Sequence, residues 1–159
     1  MKNYLLLALW VVVFEIISAS IGYATQPQVD GWYAALERPW FTPPNLAFPI
    51  MWTLLYALIG AAGFYIWQSR KDGTAGRQRL SIFMVYMALN WSWSFIFFTQ
   101  EQLFIGFLWI LAMNIAALAL IAISWKPQRR VAVLMIPPVC WTLFAALLNG
   151  AFWWLNRGA

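Results

Sequence analysis

Five apolar runs separated by polar breaks set the pattern of this chain. They lie at about Tyr4 to Ala24, Leu46 to Gln68, Leu80 to Thr99, Leu103 to Ser124 and Val131 to Trp154. Each supplies the roughly 20 mostly apolar residues that an α-helix needs to cross the hydrocarbon of a bilayer. The pattern predicts an all-α membrane protein: a bundle of five transmembrane helices, with residues 1–159 forming one domain. Three of the breaks are short: RKDGTAGRQR from Arg70 to Arg79, TQEQ from Thr99 to Gln102, and WKPQRR from Trp125 to Arg130. Helices joined by links this short are expected to pack as antiparallel neighbours. The first break differs. The stretch from Trp32 to Tyr56, WYAALERPWFTPPNLAFPIMWTLLY, begins polar and proline-broken and ends inside the second run. Pro39, Pro43 and Pro44 each lack a backbone donor, so this part reads as a structured loop that feeds a membrane helix.

Within the runs, residues three or four apart share a helix face. The second helix places Trp52, Tyr56, Gly60, Gly63 and Trp67 on one stripe, and the third places Tyr86, Asn90, Trp93 and Phe97 together. The fifth aligns Trp141, Ala145, Asn149 and Phe152; the first groups Glu15, Ser18, Ala19 and Gly22. At about 1.5 Å per residue, Trp52 and Trp93 lie about 9 Å below the face that carries the first loop, and Asn149 about 8 Å. By the same count Tyr56, Asn90, Glu15 and Ser18 lie about 8–16 Å down and Trp141 about 20 Å. Amides and glycines in membrane helices often serve packing alone, the amides bonding between helices and the glycines admitting a neighbouring backbone. Three aromatic–amide stripes at similar depth under an aromatic, proline-stiffened loop point beyond packing, to a pocket for a flat, largely apolar ligand with a few polar edges. A carboxylate inside a span is costly, which makes Glu15 a separate functional candidate.

Composition narrows the picture. Of 159 residues 64% are hydrophobic and 9% charged, against about 25% charged in soluble domains. The formal charge of +5 fits loop orientation and anionic lipid better than nucleic acid, and no nucleic-acid partner is expected. Lys2, Arg70, Lys71, Arg77, Arg79, Lys126, Arg129 and Arg130 would share one side of the membrane, with Arg38 and Arg157 on the other. Eight against two predicts a cytoplasmic N-terminus and an outward-facing first loop, as in a bacterial inner-membrane protein. Of the twelve tryptophans, Trp67, Trp125, Trp153 and Trp154 sit at helix ends and suit an interfacial belt, whereas Trp52, Trp93 and Trp141 lie inside spans. With no histidine and one cysteine, Cys140, the chain has no His-ligated haem, no zinc site and no intrachain disulfide, and no metal ligand set is expected. The N-terminal run, with Ser18-Ala19-Ser20, has signal-peptide features, but Glu15 interrupts it and it continues to Ala24, which favours a retained span. Pro49-Ile-Met-Trp52 echoes Pro138-Val-Cys-Trp141, too short an echo to establish an inverted repeat.

Three motifs in order, WYAALERPWFTPP with MWTLLY, ALNWSWSFIFF, and PPVCWTLFAALLN, resemble the TspO/MBR family of bacterial tryptophan-rich sensory proteins and mitochondrial translocator proteins (peripheral benzodiazepine receptors). The resemblance covers nearly the whole chain. It implies a five-helix membrane protein, often a homodimer, that binds porphyrins such as protoporphyrin IX and, in mitochondrial members, cholesterol and benzodiazepine-site ligands. By the same resemblance Trp52 and Trp141 match pocket tryptophans implicated in porphyrin binding and light-dependent degradation. Asn90 and Trp93 match the third-helix pocket motif, and Trp32, Tyr33, Pro43 and Pro44 match a lid. Ala145, Leu148 and Asn149 match the ligand-facing part of the fifth helix. Two departures stand out. Ser94 and Phe95 replace prolines common in the third-helix motif, and the fifth helix lacks the tyrosine of the sterol-recognition pattern, Phe152, Trp153 and Trp154 preceding Arg157 instead.

The expected function is therefore a porphyrin-binding sensor or carrier that needs no cofactor, with porphyrin or another flat apolar ligand, membrane lipid and sterol as the candidate partners. The alternative is an enzyme that degrades porphyrin with light and oxygen through electron transfer or radical formation at Trp52 or Trp141; no acid–base dyad or metal site supports ordinary hydrolysis. A porphyrin or sterol transporter ranks below both, since five spans with short links leave little room for rocking halves. Gly106, Ala112, Ala116 and Ala119 of the fourth helix offer small residues for a dimer contact.

Overall fold

The computed structural model describes residues 2–158. Its five long helices are α1 (Lys2–Gln28), α2 (Ala47–Gln68), α3 (Gly73–Ser94), α4 (Leu103–Ser124) and α5 (Arg129–Asn156). All five are long and apolar enough to cross a membrane, and the described residues contain no strand. α4 has the bounds expected of the fourth run. α1 and α3 are longer than expected. α1 passes Ala24 and continues through Pro27 into one π-helical turn, Val29–Tyr33. Proline removes one rung of the helical ladder and crowds the carbonyl four residues back, so the ladder is already disturbed where the wider turn begins. Trp32 and Tyr33, expected in a loop, thus stand on a helical extension of α1.

α3 starts at Gly73, so most of the expected basic turn is helix. Gly73 takes φ +62°, which lets the chain reverse sharply after Asp72. A β-carbon at Gly76 would fall on the Ser69 carbonyl oxygen, so the turn closes only around a glycine. α3 also ends in a π turn, Phe95–Thr99, directly after Ser94. α2 opens with Ala47 N–H donating to the Pro44 carbonyl at 2.8 Å. Pro49 lies in its first turn, where a missing donor breaks no bond.

Round the bundle the order is α1, α2, α5, α4, α3, with α3 closing lightly on α1. One expectation is corrected here: α2 and α3 share a short link yet meet only slightly, because α5 occupies the other flank of α2. The stripe of small residues on α2 explains its first neighbour. A β-carbon at Gly60 would lie 3.1 Å from the Val11 Cα, and one at Gly63 would lie 2.9 Å from Trp10 and Phe83 ring atoms. These two glycines therefore seat α1 on α2 rather than line a pocket, and Trp67 at the end of the same stripe is exposed. On α1 Ala19 and Gly22 are exposed too, so that stripe keeps only Glu15 and Ser18 half-buried.

Lipid tails are as apolar as leucine, so close fit and buried hydrogen bonds hold such a bundle. Leu55, Ile59, Phe83, Met113, Leu120 and Met135 fill its centre. Thr142 Oγ1 donates to Asn114 Oδ1 at 2.7 Å, tying α5 to α4, while Asn114 Nδ2 donates to the Ile110 carbonyl at 2.8 Å. Trp109 Nε1 donates to Ser92 Oγ at 2.9 Å and ties α4 to α3. Trp67, Trp125 and Trp154 are exposed at the helix ends, as an interfacial belt requires.

Candidate functional site

Both π turns lie at the same end of the bundle and face each other. Between them sits an aromatic cap. Tyr33 is buried, its ring centroid 5.0 Å from Phe152, 5.5 Å from Phe98 and 6.0 Å from Phe97. Trp32 meets Phe97 edge-on at 5.9 Å. A π turn carries an extra residue per turn and re-aims the side chains that follow; here it directs Tyr33 and Phe97 inward. Residues 36–46 are the non-helical part of the cap. They are fastened to the far end of α5: Glu37 N–H donates to Asn156 Oδ1 at 2.9 Å, and Asn156 Nδ2 returns a bond to the Glu37 carbonyl at 3.0 Å. Phe41 packs edge-on against Phe144 at 6.3 Å. Arg38 lies 5.6 Å over the Tyr33 ring and reaches Asn45 Oδ1 at 3.5 Å. Pro43 is half-buried, Pro44 exposed, and Trp40 stands 94% exposed.

Beneath the cap the expected residues separate into groups. Trp52 is half-buried and packs on Tyr56 at 5.6 Å. Tyr56 is buried and its hydroxyl donates to Asn90 Oδ1, while Asn90 Nδ2 donates to the Met113 sulfur at 3.2 Å. This polar chain spans α2, α3 and α4, so Asn90 is committed to holding helices together. Trp93 is committed likewise: its Nε1 donates to the Gly106 carbonyl at 3.1 Å, and Phe97 stacks on its ring at 5.0 Å and 15°. One face of Trp93 is therefore covered. Gly106 is buried, and a β-carbon there would lie 2.9 Å from Phe97, so it offers no dimer surface. Ala112, Ala116 and Ala119 line an apolar groove between α3 and α4 on the outside of the bundle.

The fifth helix is different. Trp141 is half-buried between Phe48, at 6.0 Å, and Phe144, at 5.6 Å, and its buried Nε1 has no partner. Ala145 is half-buried one turn on. Leu148 is buried in the cluster that holds Tyr33 and Phe152. Asn149, next to it, is 3% exposed, and neither its Oδ1 nor its Nδ2 has a hydrogen-bond partner. Of the three span amides, Asn90 and Asn114 thus satisfy the packing reading and Asn149 does not. Glu15 stands on α1, half-buried, with Oε1 buried and without a partner.

Sequence reasoning missed Phe41, Phe48, Phe98, Phe144 and Asn156. The phenylalanines had no signal in a chain so rich in apolar residues. Asn156 ends its helix, where a polar residue reads as an ordinary terminus.

Five apolar helices, sealed at one end by an aromatic cap, define a multi-pass integral membrane protein. The chain belongs to the TspO/MBR family, whose profile matches residues 7–155. It is 36% identical over 142 residues to the "Tryptophan-rich protein TspO" of Archaeoglobus fulgidus, covering 86% of this chain and 90% of that protein. It is 30% identical to the "Translocator protein" of Ovis aries, covering 94% and 92%. It is 28% identical to the "Tryptophan-rich sensory protein" of Cereibacter sphaeroides, covering 82% and 79%.

Proposed function

We propose that this chain is a tetrapyrrole-binding membrane sensor or carrier that takes a porphyrin such as protoporphyrin IX between the cap and the aromatic side chains of α2 and α5. The observation that carries the reading is Asn149. A buried amide with neither donor nor acceptor satisfied costs about 1–3 kcal/mol per group, and this one adjoins Leu148, which packs with Tyr33 and Phe152 of the cap. A ligand with polar edges on an apolar plane would recover that cost and also meet the unpartnered Trp141 Nε1. Trp52 and Trp141 would supply stacking faces; Trp93, with Phe97 on its ring, would serve as wall. Arg38 stands at the rim, where it can meet a propionate.

Orientation and assembly belong to the same proposal. The basic links between α2 and α3 and between α4 and α5 face the cytoplasm, and the cap faces outward across a bacterial inner membrane. A homodimer could seat on the α3–α4 groove, where Ala112, Ala116 and Ala119 allow close approach.

Titration of protoporphyrin IX against tryptophan fluorescence tests the binding. Saturable quenching is expected, weakened about tenfold in Asn149→Leu and strongly reduced in Trp52→Phe/Trp141→Phe. Saturable quenching that all three substitutions leave unchanged would remove the site from this position; no saturable quenching would remove the function.

A further inference from the structure

At the end of the bundle opposite the cap, the two basic links enclose a crevice of about 540 Å³. That is within the range of about 300–1,000 Å³ typical of small-molecule sites. Tyr65 and Ser69 of the α2 end, Asp72 of the first link, and Lys126, Arg129 and Arg130 of the second form its walls. Arg130 reaches across it from α5 and lies 5.6 Å over the Tyr65 ring of α2. Arg129 turns towards Trp125, 5.7 Å from the ring centroid.

The charge here is unbalanced in a way that folding alone does not require. α5 begins at Arg129 with no side-chain cap and no acidic residue in its first turn. Helix N-termini carry partial positive charge, and two arginines there repel it unless an anion is present. A fourth base lies behind the wall. Asp72, just before α3, lines the crevice, and the first turn of α3 packs behind it with Gly76 against the Ser69 carbonyl. Arg79 is 2% exposed, its Nε has no partner, and its Nη2 is 3.9 Å from Asp72 Oδ2, a loose contact. Lys126, Arg129 and Arg130 thus line the crevice with one carboxylate, Asp72, which is already in loose contact with Arg79. Three bases against a single carboxylate, itself already drawn to Arg79, leave an excess of positive charge that suits a multivalent oxyanion. Trp67 and Trp125, exposed beside the crevice, place it at the level of lipid headgroups.

We propose that this crevice is a binding site for a phosphate-bearing group, supplied by the headgroup of an anionic membrane lipid. Basic pockets between membrane helices suit such headgroups. The phosphate would lie between Arg129, Arg130 and Lys126, with the Tyr65 hydroxyl and Ser69 facing it from α2. The site lies at the far end of the bundle from the cap and is independent of the porphyrin reading.

The test uses the full chain in neutral detergent, titrated with phosphatidylglycerol or phosphatidylcholine and followed by native mass spectrometry. Phosphatidylglycerol is expected to bind at least tenfold more tightly than phosphatidylcholine. Lys126→Gln/Arg129→Gln/Arg130→Gln should abolish that preference, and Lys71→Gln/Arg77→Gln, two bases on the same side but outside the crevice, should keep it. Should the triple variant not fold, Gln68→Trp fills the crevice without removing a charge and is expected to lower the affinity about tenfold. Preference surviving the triple variant and Gln68→Trp would overturn the site. Equal loss in the Lys71/Arg77 control would reduce it to diffuse surface charge. Displacement of phosphatidylglycerol by an equal concentration of inorganic phosphate would overturn the lipid as its source.

Discussion

Asn156→Ala removes both bonds that fasten the cap to α5: the one accepted from Glu37 N–H at 2.9 Å and the one donated to the Glu37 carbonyl at 3.0 Å. Each such bond contributes a net 0.5–1.5 kcal/mol or so. Both are solvent-exposed, which puts the pair near the low end, about 1–1.5 kcal/mol together. Since about 1.4 kcal/mol is a factor of ten, the open cap should become about tenfold more populated. Amide hydrogen exchange reads this directly, because exposed segments open with their own free energies, independently of the core. The Glu37 amide should exchange about tenfold faster in Asn156→Ala, with the amides of Val139 and Leu148 unchanged. Asn156→Asp keeps an acceptor for Glu37 N–H and loses the donor, and should fall between the two. Unchanged exchange at Glu37 would refute the fastening. Equal acceleration throughout α5 would mean that Asn156 stabilises the helix, through its 2.8 Å bond to the Phe152 carbonyl, and not the cap.

Four further outcomes are expected. Tyr56→Phe strands the buried Asn90 Oδ1, costing about 1–3 kcal/mol, and should lower the thermal midpoint in detergent by several degrees. Gly63→Ala puts a methyl 2.9 Å from the Phe83 and Trp10 rings and should destabilise by about 1–3 kcal/mol, whereas Gly22→Ala, with nothing within 4 Å, should be neutral or stabilising in the same melts. Glu101→Gly relieves a left-handed residue at φ 56° and should raise the midpoint slightly. Under illumination the proposed protoporphyrin IX complex should bleach no faster than free porphyrin; a new absorbance band lost in Trp52→Phe/Trp141→Phe would instead favour degradation.

Hydropathy made the five spans legible because a bilayer leaves a chain few other ways to satisfy its backbone. It misplaced the ends of α1 and α3 for a related reason. At the membrane surface, water solvates Gln26 and Asp30, or Arg77 and Gln78, as well on a helix as in a loop, so polarity there does not mark a terminus. The stripes were also legible, but their uses were not. Gly60 and Gly63 share a face with Tyr56, and only the position of α1 shows that they seat a helix. Asn90, Asn114 and Asn149 look alike in sequence. They are separated by partners on other helices, Tyr56 for the first and Thr142 for the second, with none for the third. The ring order carries no local signal at all. That α5 flanks α2 follows from side-chain fit over residues about eighty positions apart.

How the cap is held decides where a ligand would enter. On the α1 side Tyr33 is pinned by Phe97, Phe98 and Phe152, and its backbone is helical, so lifting it would break ring contacts and a helical turn together. Residues 36–46 carry no helix; they are tied to α5 by the two Asn156 bonds and by Phe41 against Phe144, and to the start of α2 by the Pro44 and Asn45 carbonyls, which accept from Ala47 and Phe48 N–H. Entry should therefore begin by raising this segment about the Tyr33 end, which exposes Trp141 and Asn149 before Trp93. On the proposed porphyrin reading, Asn156→Ala should speed association and dissociation alike, leaving the equilibrium constant nearly unchanged as long as the closed state remains dominant. If the ligand came laterally between α2 and α5 instead, Phe48→Ala would speed association and Asn156→Ala would leave it unaltered, and stopped-flow quenching of the two variants separates the routes.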